Sequence, residues 1–220
     1  FCAGRPPFEE AGVQLVDDVE PYELMKLRLL NASHQAMAYV GALSGHAYAH
    51  EAASDPLIAE FLRRYLDEAT PSLRPVPGID PDVYKATLLE RFANPAIRDT
   101  LARLCAETSD RIPTFLVPVI RDNLAAGHSV DIAAAVLASW ARYAEGVDEA
   151  GRAYTVVDPL ADTLVPLARS QREQPLAFLR NESIFGDLAD DFSLTAPYLS
   201  VLADLHEHGA QEALRRLLSE

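Results

Sequence analysis

Four times along this chain an aspartate or asparagine stands directly before a proline: Asp55-Pro56, Asp80-Pro81, Asn94-Pro95 and Asp158-Pro159. A short polar side chain can accept from the free amides of a helix's first turn. Proline loses nothing at the first helical position, because its missing N–H had no partner there. Each pair therefore reads as a helix opening, and together they predict an all-α, multi-helix fold. Apolar spacing and stop signals place helices over about 21–45, 56–69, 81–92, 95–106, 113–126, 130–145, 159–171, 193–207 and 210–219. No run alternates as a half-buried strand would, and only Val13-Gln14-Leu15-Val16 reads as a brief extended segment. Pro71, Pro75 and Pro77 forbid a continuous helix between Thr70 and Gly78, so a rigid connector is expected there.

The stretch Glu20 to Gly45 reads as the helix around which the others are arranged. Leu27, Leu30, His34, Met37, Ala38 and Gly41 keep a spacing of three and four, the mark of a face packed on a core. Ala32, Ala36, Ala38, Gly41 and Ala42 are small enough for another backbone to come close, which makes the helix central. A second core helix is expected from Asp131 to Gly146, with Ile132, Val136, Leu137, Trp140 and Tyr143 as its stripe, Ser129 as cap and Gly146 as stop.

Composition excludes several classes. The chain has 220 residues, of which 49% are hydrophobic and 24% charged, so one globular domain is expected. A net charge of -14 opposes binding to nucleic acid or anionic membrane surfaces. No segment approaches the ~20 apolar residues of a membrane span. Cys2 and Cys105 offer neither a disulfide framework nor metal spacing, and a reducing, cytoplasmic setting is the simple reading. The chain opens on Phe-Cys-Ala-Gly-Arg-Pro, without a starting Met or signal peptide, and reads as a piece of a longer protein.

Lys26, Asn31 and His34 carry the candidate chemistry. At roughly 100° per residue they point to about 0°, 140° and 80° around the helix axis, within one broad face. A lysine takes a proton near neutral pH only if its pKa falls from ~10.4 towards ~7 to 8, so partial desolvation of Lys26 is expected. An asparagine amide donates to an oxygen gaining negative charge, and a histidine orients a neighbouring hydroxyl. The set suits interconversion of an alcohol and a ketone. Spacing alone favours the plainer reading of a solvated lysine, a helix asparagine bonded to backbone and a core histidine. His46, His50 and Glu51 have metal-ligand spacing, but helix-face histidines are the better reading. His206 and His208 are expected in solvent, and Cys105 in the core.

The runs Phe1-Cys-Ala-Gly-Arg-Pro-Pro-Phe-Glu9, Gly12-Val-Gln-Leu, Pro21-Tyr-Glu and Met25-Lys-Leu-Arg-Leu-Leu-Asn-Ala-Ser-His34 resemble the C-terminal domain of the mannitol dehydrogenase family. These polyol-specific long-chain dehydrogenases include mannitol 2-dehydrogenase and fructuronate reductase. The resemblance continues through Pro75-Val-Pro-Gly78, Tyr84, Glu90-Arg-Phe-Ala-Asn-Pro-Ala-Ile-Arg-Asp99, Arg111-Ile-Pro113 and Ile184-Phe-Gly-Asp-Leu188. It implies an NAD(P)-dependent oxidoreductase that interconverts the secondary alcohol of a polyol or sugar acid with its ketose or ketouronate. Lys26 is implied as general base, with Asn31 and His34 binding and polarising the reacting oxygen. Arg103 and Arg111 are implied in the polyol site, and Arg5 is expected to reach its seam.

The family's other half is an N-terminal Rossmann domain, expected to be absent from residues 1–220, which form the all-α substrate and catalytic-base domain. NAD or NADP is expected to bind mainly to that N-terminal domain of the same polypeptide. None of the ten glycines forms a Gly-x-Gly-x-x-Gly fingerprint, so this chain by itself is expected to be inactive and to hold dinucleotide weakly. The rival is a non-catalytic helical binding or oligomerisation module on the same scaffold. The complete Lys26, Asn31 and His34 set weighs against it, because a structural module needs no such set on one face.

Overall fold

The computed structural model describes residues 4–219, so Cys2 lies outside the described residues. After a single 3-10 turn, Phe8–Ala11, the first helix (α1) runs Glu20–Met25, widens into a π turn at Lys26–Asn31 and continues as Ala32–Leu43. There follow α2 (Ala49–Ser54), α3 (Pro56–Ala69), α4 (Pro81–Phe92), α5 (Leu101–Leu104), α6 (Thr108–Phe115) and α7 (Val117–Ala126). The rest comprises α8 (Asp131–Tyr143), α9 (Ala161–Arg169), α10 (Glu182–Phe185), α11 (Phe192–His208) and α12 (Ala210–Ser219). Among the described residues there is no strand, only isolated bridges at Tyr48–Thr100 and Val147–Ala153. None of these helices is long and apolar enough to cross a membrane.

Two helices form the centre. The Ala32–Leu43 part of α1 buries nearly all its side chains, and α8 is buried from Ile132 to Tyr143. Alanines and Gly41 thin both helices and let neighbours approach. A Cβ on Gly41 would lie 2.8 Å from the Ala52 methyl and 2.9 Å from Leu101. Trp140 fills the space beyond, edge-on to Phe178 with ring centroids 4.9 Å apart. Full burial of each such ring contributes about 1.5–3 kcal/mol. α11 lies along α8, α12 crosses α11 and α3, and α2, α3 and α5 flank α1.

Asp55 and Asp80 cap α3 and α4 as expected, each accepting from the amides two and three residues on. The other two pairs act differently. Asn94 accepts from Ala96 N in a turn, so helix starts only at Leu101, with Thr100 as its cap. Asp158 accepts from Leu160 N and also reaches Ser109 N, 2.9 Å away at the start of α6. It caps a helix distant in sequence, and α9 begins later, at Ala161. The helix expected over 113–126 is broken at Leu116, and its first part, α6, begins earlier than expected, at Thr108, while α2 and α10 were too short to leave a periodic signal. The main cap of α8 comes from α3: the Glu68 carboxylate accepts from Ile132 N at 2.9 Å and Ala133 N at 2.8 Å. Ser129 accepts only from Asp131 N. Val13 to Val16 pairs with no strand and stays exposed.

The connector is held at both ends. Arg28 donates to Ser72 O at 2.6 Å, and the Tyr22 hydroxyl to Pro77 O at 2.8 Å.

Gly41→Ala would gain up to ~1 kcal/mol of helix propensity, yet it drives a methyl group into Ala52 and Leu101. The expected net effect is a loss of about 1–2 kcal/mol, read as a lower urea midpoint. An unchanged or higher midpoint would contradict the close approach.

Candidate active site

The π turn carries Lys26 and Asn31 at its two ends. Ala32 N–H, whose α-helical partner would be Arg28 O, reaches back five residues to Leu27 O. Arg28 O is taken up by the buried Tyr65 hydroxyl of α3, at 2.9 Å. A turn closed by five-residue bonds holds more residues than the 3.6 of an α-helix. It therefore narrows the angle between Lys26 and Asn31, which the sequence reading set at about 140°. Such wide turns recur at functional sites. Arg28 braces the same turn from its buried side, donating to Asp122 at 2.6 Å.

Lys26 is exposed and Asn31 half-buried. The expected desolvation of Lys26 is thus not supplied by the described residues: the burial of α1 becomes continuous only beyond Asn31. His34 sits one turn further, its ring 4.7 Å from that of Phe92. It stands over a cavity of about 210 Å³ walled by Leu30, Leu88, Phe92 and Ile97, with Arg91 and Asp99 as its other polar members. Burial lowers the His34 pKa from 6.5 to about 4; Asp99 opposes this, while Arg103, Lys26 and Arg111 add to it. At neutral pH His34 is therefore a neutral imidazole, a donor at one nitrogen and an acceptor at the other.

The segment 99–111 brings two of the expected arginines to this region. Arg103 Nε donates to Asp99 Oδ1 at 2.6 Å and its Nη2 to Oδ2. Arg111 Nη1 donates to Leu104 O at 3.1 Å and its Nη2 to Glu107 at 3.2 Å. Between them Glu107 takes the left-handed conformation, with φ 54°, rare for a residue with a side chain. The core holds this segment: Gln35, next to His34, donates to Leu104 O, and Tyr39 donates to Thr108, which bonds Cys105 O.

Other candidates lie elsewhere. Arg5 pairs with Glu9 on the surface, and no hydrogen bond joins it to the Lys26 group. Glu51 caps α2 through Ala47 N and Tyr48 N, His46 lies 3.5 Å from Asp55 and His50 stacks on Tyr48. Among the described residues no three acidic, His or Cys groups converge to hold a metal. Cys105 is buried, and burial pushes its thiol up to about 12. His206 departs from its expected exposure. α11 continues to His208, placing His206 on the helix and 2.5 Å from the buried Glu145. Tyr65 carries no sequence signal of its own, since it acts on a backbone carbonyl distant in the chain; Asp99 and Glu107 each stand four residues before the arginine they pair with, a spacing that could have marked them.

The model of the mannitol dehydrogenase C-terminal domain matches residues 18–203. The chain is 42% identical over 219 residues to mannitol 2-dehydrogenase of Phaeosphaeria nodorum, covering 97% of this chain and 38% of that protein. It is 40% identical over 223 residues to mannitol dehydrogenase 2 of Saccharomyces cerevisiae, covering 100% of this chain and 44% of that protein. Its structure superposes on Pseudomonas fluorescens mannitol 2-dehydrogenase, in a ternary complex with NAD and D-mannitol, with a TM-score of 0.92 and 42% identity. The match covers 99% of this chain and 44% of that one. A substrate-free D-sorbitol dehydrogenase gives 0.88 at 27% identity, over 96% of this chain and 44% of that one. The chain belongs to the mannitol dehydrogenase family and forms its all-α C-terminal domain, spanning about two-fifths of the length of these relatives.

Tyr65→Phe removes the donor to Arg28 O and is expected to cost about 1–2 kcal/mol in urea unfolding; an unchanged midpoint would show that the carbonyl needs no partner. For His34 the pH window runs from 6.5 down to about 4. Within it the unfolded chain binds a proton that the folded chain refuses, so stability is full above the window and falls as pH drops through it. The loss is on the order of 3 kcal/mol. His34→Gln should flatten this part of the melting-temperature profile, and a parallel profile would rule out the buried neutral histidine.

Proposed function

We propose that the chain is the substrate-binding and proton-transferring part of an oxidoreductase that interconverts a polyol or sugar-acid secondary alcohol with its ketose or ketouronate. The reading rests on one observation: Lys26 and Asn31 share a single π turn beside a neutral His34, within a fold that superposes on a mannitol 2-dehydrogenase. In oxidation Lys26 takes the hydroxyl proton and the Asn31 amide donates to the oxygen as it gains negative charge. His34 aligns the neighbouring hydroxyl. Arg103 and Arg111 bind hydroxyls further along the chain of the substrate, and in reduction the roles reverse. Arg5 is assigned to the rim of this site.

The hydride partner is NAD or NADP. The amino ends of α3, α4 and α11 are closed by the carboxylates of Asp55, Asp80 and Asp191, which repel an anion where a free helix end would attract one. Dinucleotide binding is assigned to the length of the relatives that this chain does not match. The same part is proposed to cover Lys26 and complete its desolvation.

The test is NADH and NADPH oxidation by the complete enzyme against fructose, fructuronate, tagaturonate and xylulose. Lys26→Ala is expected to lower turnover by about 10²-fold or more and to leave cofactor affinity nearly unchanged. Near-normal turnover of the variant would remove Lys26 from the role of base.

A further inference from the structure

Asp99 belongs to no motif that the chemistry above uses, yet it lies where three parts of the site meet. Its side chain is 19% exposed, against 60% for the Arg103 that it holds. It lines the cavity beneath His34 together with Arg91. Its backbone is fixed independently of its side chain: Asp99 O accepts from Ala49 N at 2.9 Å, and the next residue, Thr100, bridges to Tyr48. Thr100 also caps the turn that carries Arg103. The backbone that carries the carboxylate is therefore anchored to α2, and the guanidinium is the more exposed partner.

The direction of the pair decides what Arg103 can offer. Asp99 occupies Nε and one edge of Nη2. A guanidinium held this way keeps both N–H groups of Nη1 on its outer edge, pointing away from the carboxylate in a fixed plane. An unpaired arginine at an exposed position of a four-residue helix would sample many rotamers and lose that freedom on binding. A carboxylate set between His34 and Arg103 also offsets the positive charge that Lys26, Arg103 and Arg111 concentrate around the imidazole.

We propose that Asp99 is a positioning residue of the substrate site, clamping Arg103 so that its Nη1 edge faces a hydroxyl of the bound polyol or ketose. The inference rests on the proposed reading of Arg103 as a substrate-binding group. Asp99 touches the substrate only through Arg103.

The experiment is a double-mutant cycle in the complete enzyme with Asp99→Asn, Arg103→Ala and the pair, following KM and kcat for the preferred ketose together with melting temperature. Asp99→Asn keeps one acceptor and turns the other into a donor that repels Nη2. It is expected to raise KM about tenfold, the loss of one charge-assisted hydrogen bond, with a smaller change in kcat. The double variant is expected to be no worse than Arg103→Ala alone, because the clamp has nothing left to hold. Additive losses in the double variant, or a normal KM in Asp99→Asn while Arg103→Ala raises it, would overturn the clamp and leave the site reading intact. A normal KM in Arg103→Ala would instead overturn the substrate role of Arg103, and the clamp with it. A melting temperature that falls with no change in KM would make Asp99 a purely structural residue and overturn the proposal.

Discussion

The candidate site depends on one hydrogen bond between a side chain and a backbone carbonyl. Where α1 widens, the amide of Ala32 abandons Arg28 O, and a buried carbonyl left without a donor costs about 1–3 kcal/mol. The Tyr65 hydroxyl supplies that donor from a neighbouring helix. Its own burial raises the phenol pKa, so it stays a donor at any ordinary pH. The wide turn is thereby compatible with a packed core, and the candidate residues Lys26 and Asn31 at its ends are presented from a packed support. Arg28 completes the arrangement by joining the turn to the Thr70–Ser72 corner and to α7.

Around this turn the molecule separates packing from chemistry along a single helix. The half of α1 beyond Asn31 is buried against α8, α3 and α5 and bears alanine, glycine and methionine. The half before it rises to the surface with Lys26. His34 lies at the boundary, buried enough to stay neutral yet open to a cavity. That gradient gives three polar residues on one element three different environments. These environments suit the proposed roles: a proton acceptor must reach solvent or substrate, whereas an aligning imidazole works best when it does not ionise. The segment 99–111 flanks the site, fastened to the core by the buried Leu101 and Leu104 of α5 and by hydrogen bonds from Gln35 and Tyr39.

Much of the fold was legible in the sequence because local signals carried it. Asp55-Pro56 and Asp80-Pro81 mark the starts of α3 and α4, and the ends of these helices also fall where the apolar spacing stops. The alanines and Gly41 announced a central helix. The same reading missed at Asn94-Pro95, where a similar pair makes a turn, and at Asp158-Pro159 it marked a helix that starts two residues later while Asp158 also caps α6 elsewhere in the chain. A carboxylate can satisfy whichever amide the tertiary fold brings to it, and sequence order does not say which. His206 misled for a related reason: its partner Glu145 is remote in sequence and adjacent only because α11 lies along α8.

Of the site, the sequence by itself determined the residue types and, through their run from Lys26 to His34, the family to which the chain belongs. It also determined that all three candidates share one helix, since apolar periodicity is a property of neighbours in the chain. The tertiary structure decided the angle between Lys26 and Asn31, the neutrality of His34 and the clamp of Asp99 on Arg103. Each of these depends on a group brought from elsewhere: the Tyr65 hydroxyl that releases the wide turn, the walls that desolvate the imidazole, and the bridge to Tyr48 that fixes the carboxylate. Angles, burial and long-range partners are set by packing between elements, and a linear pattern records only the faces that will pack.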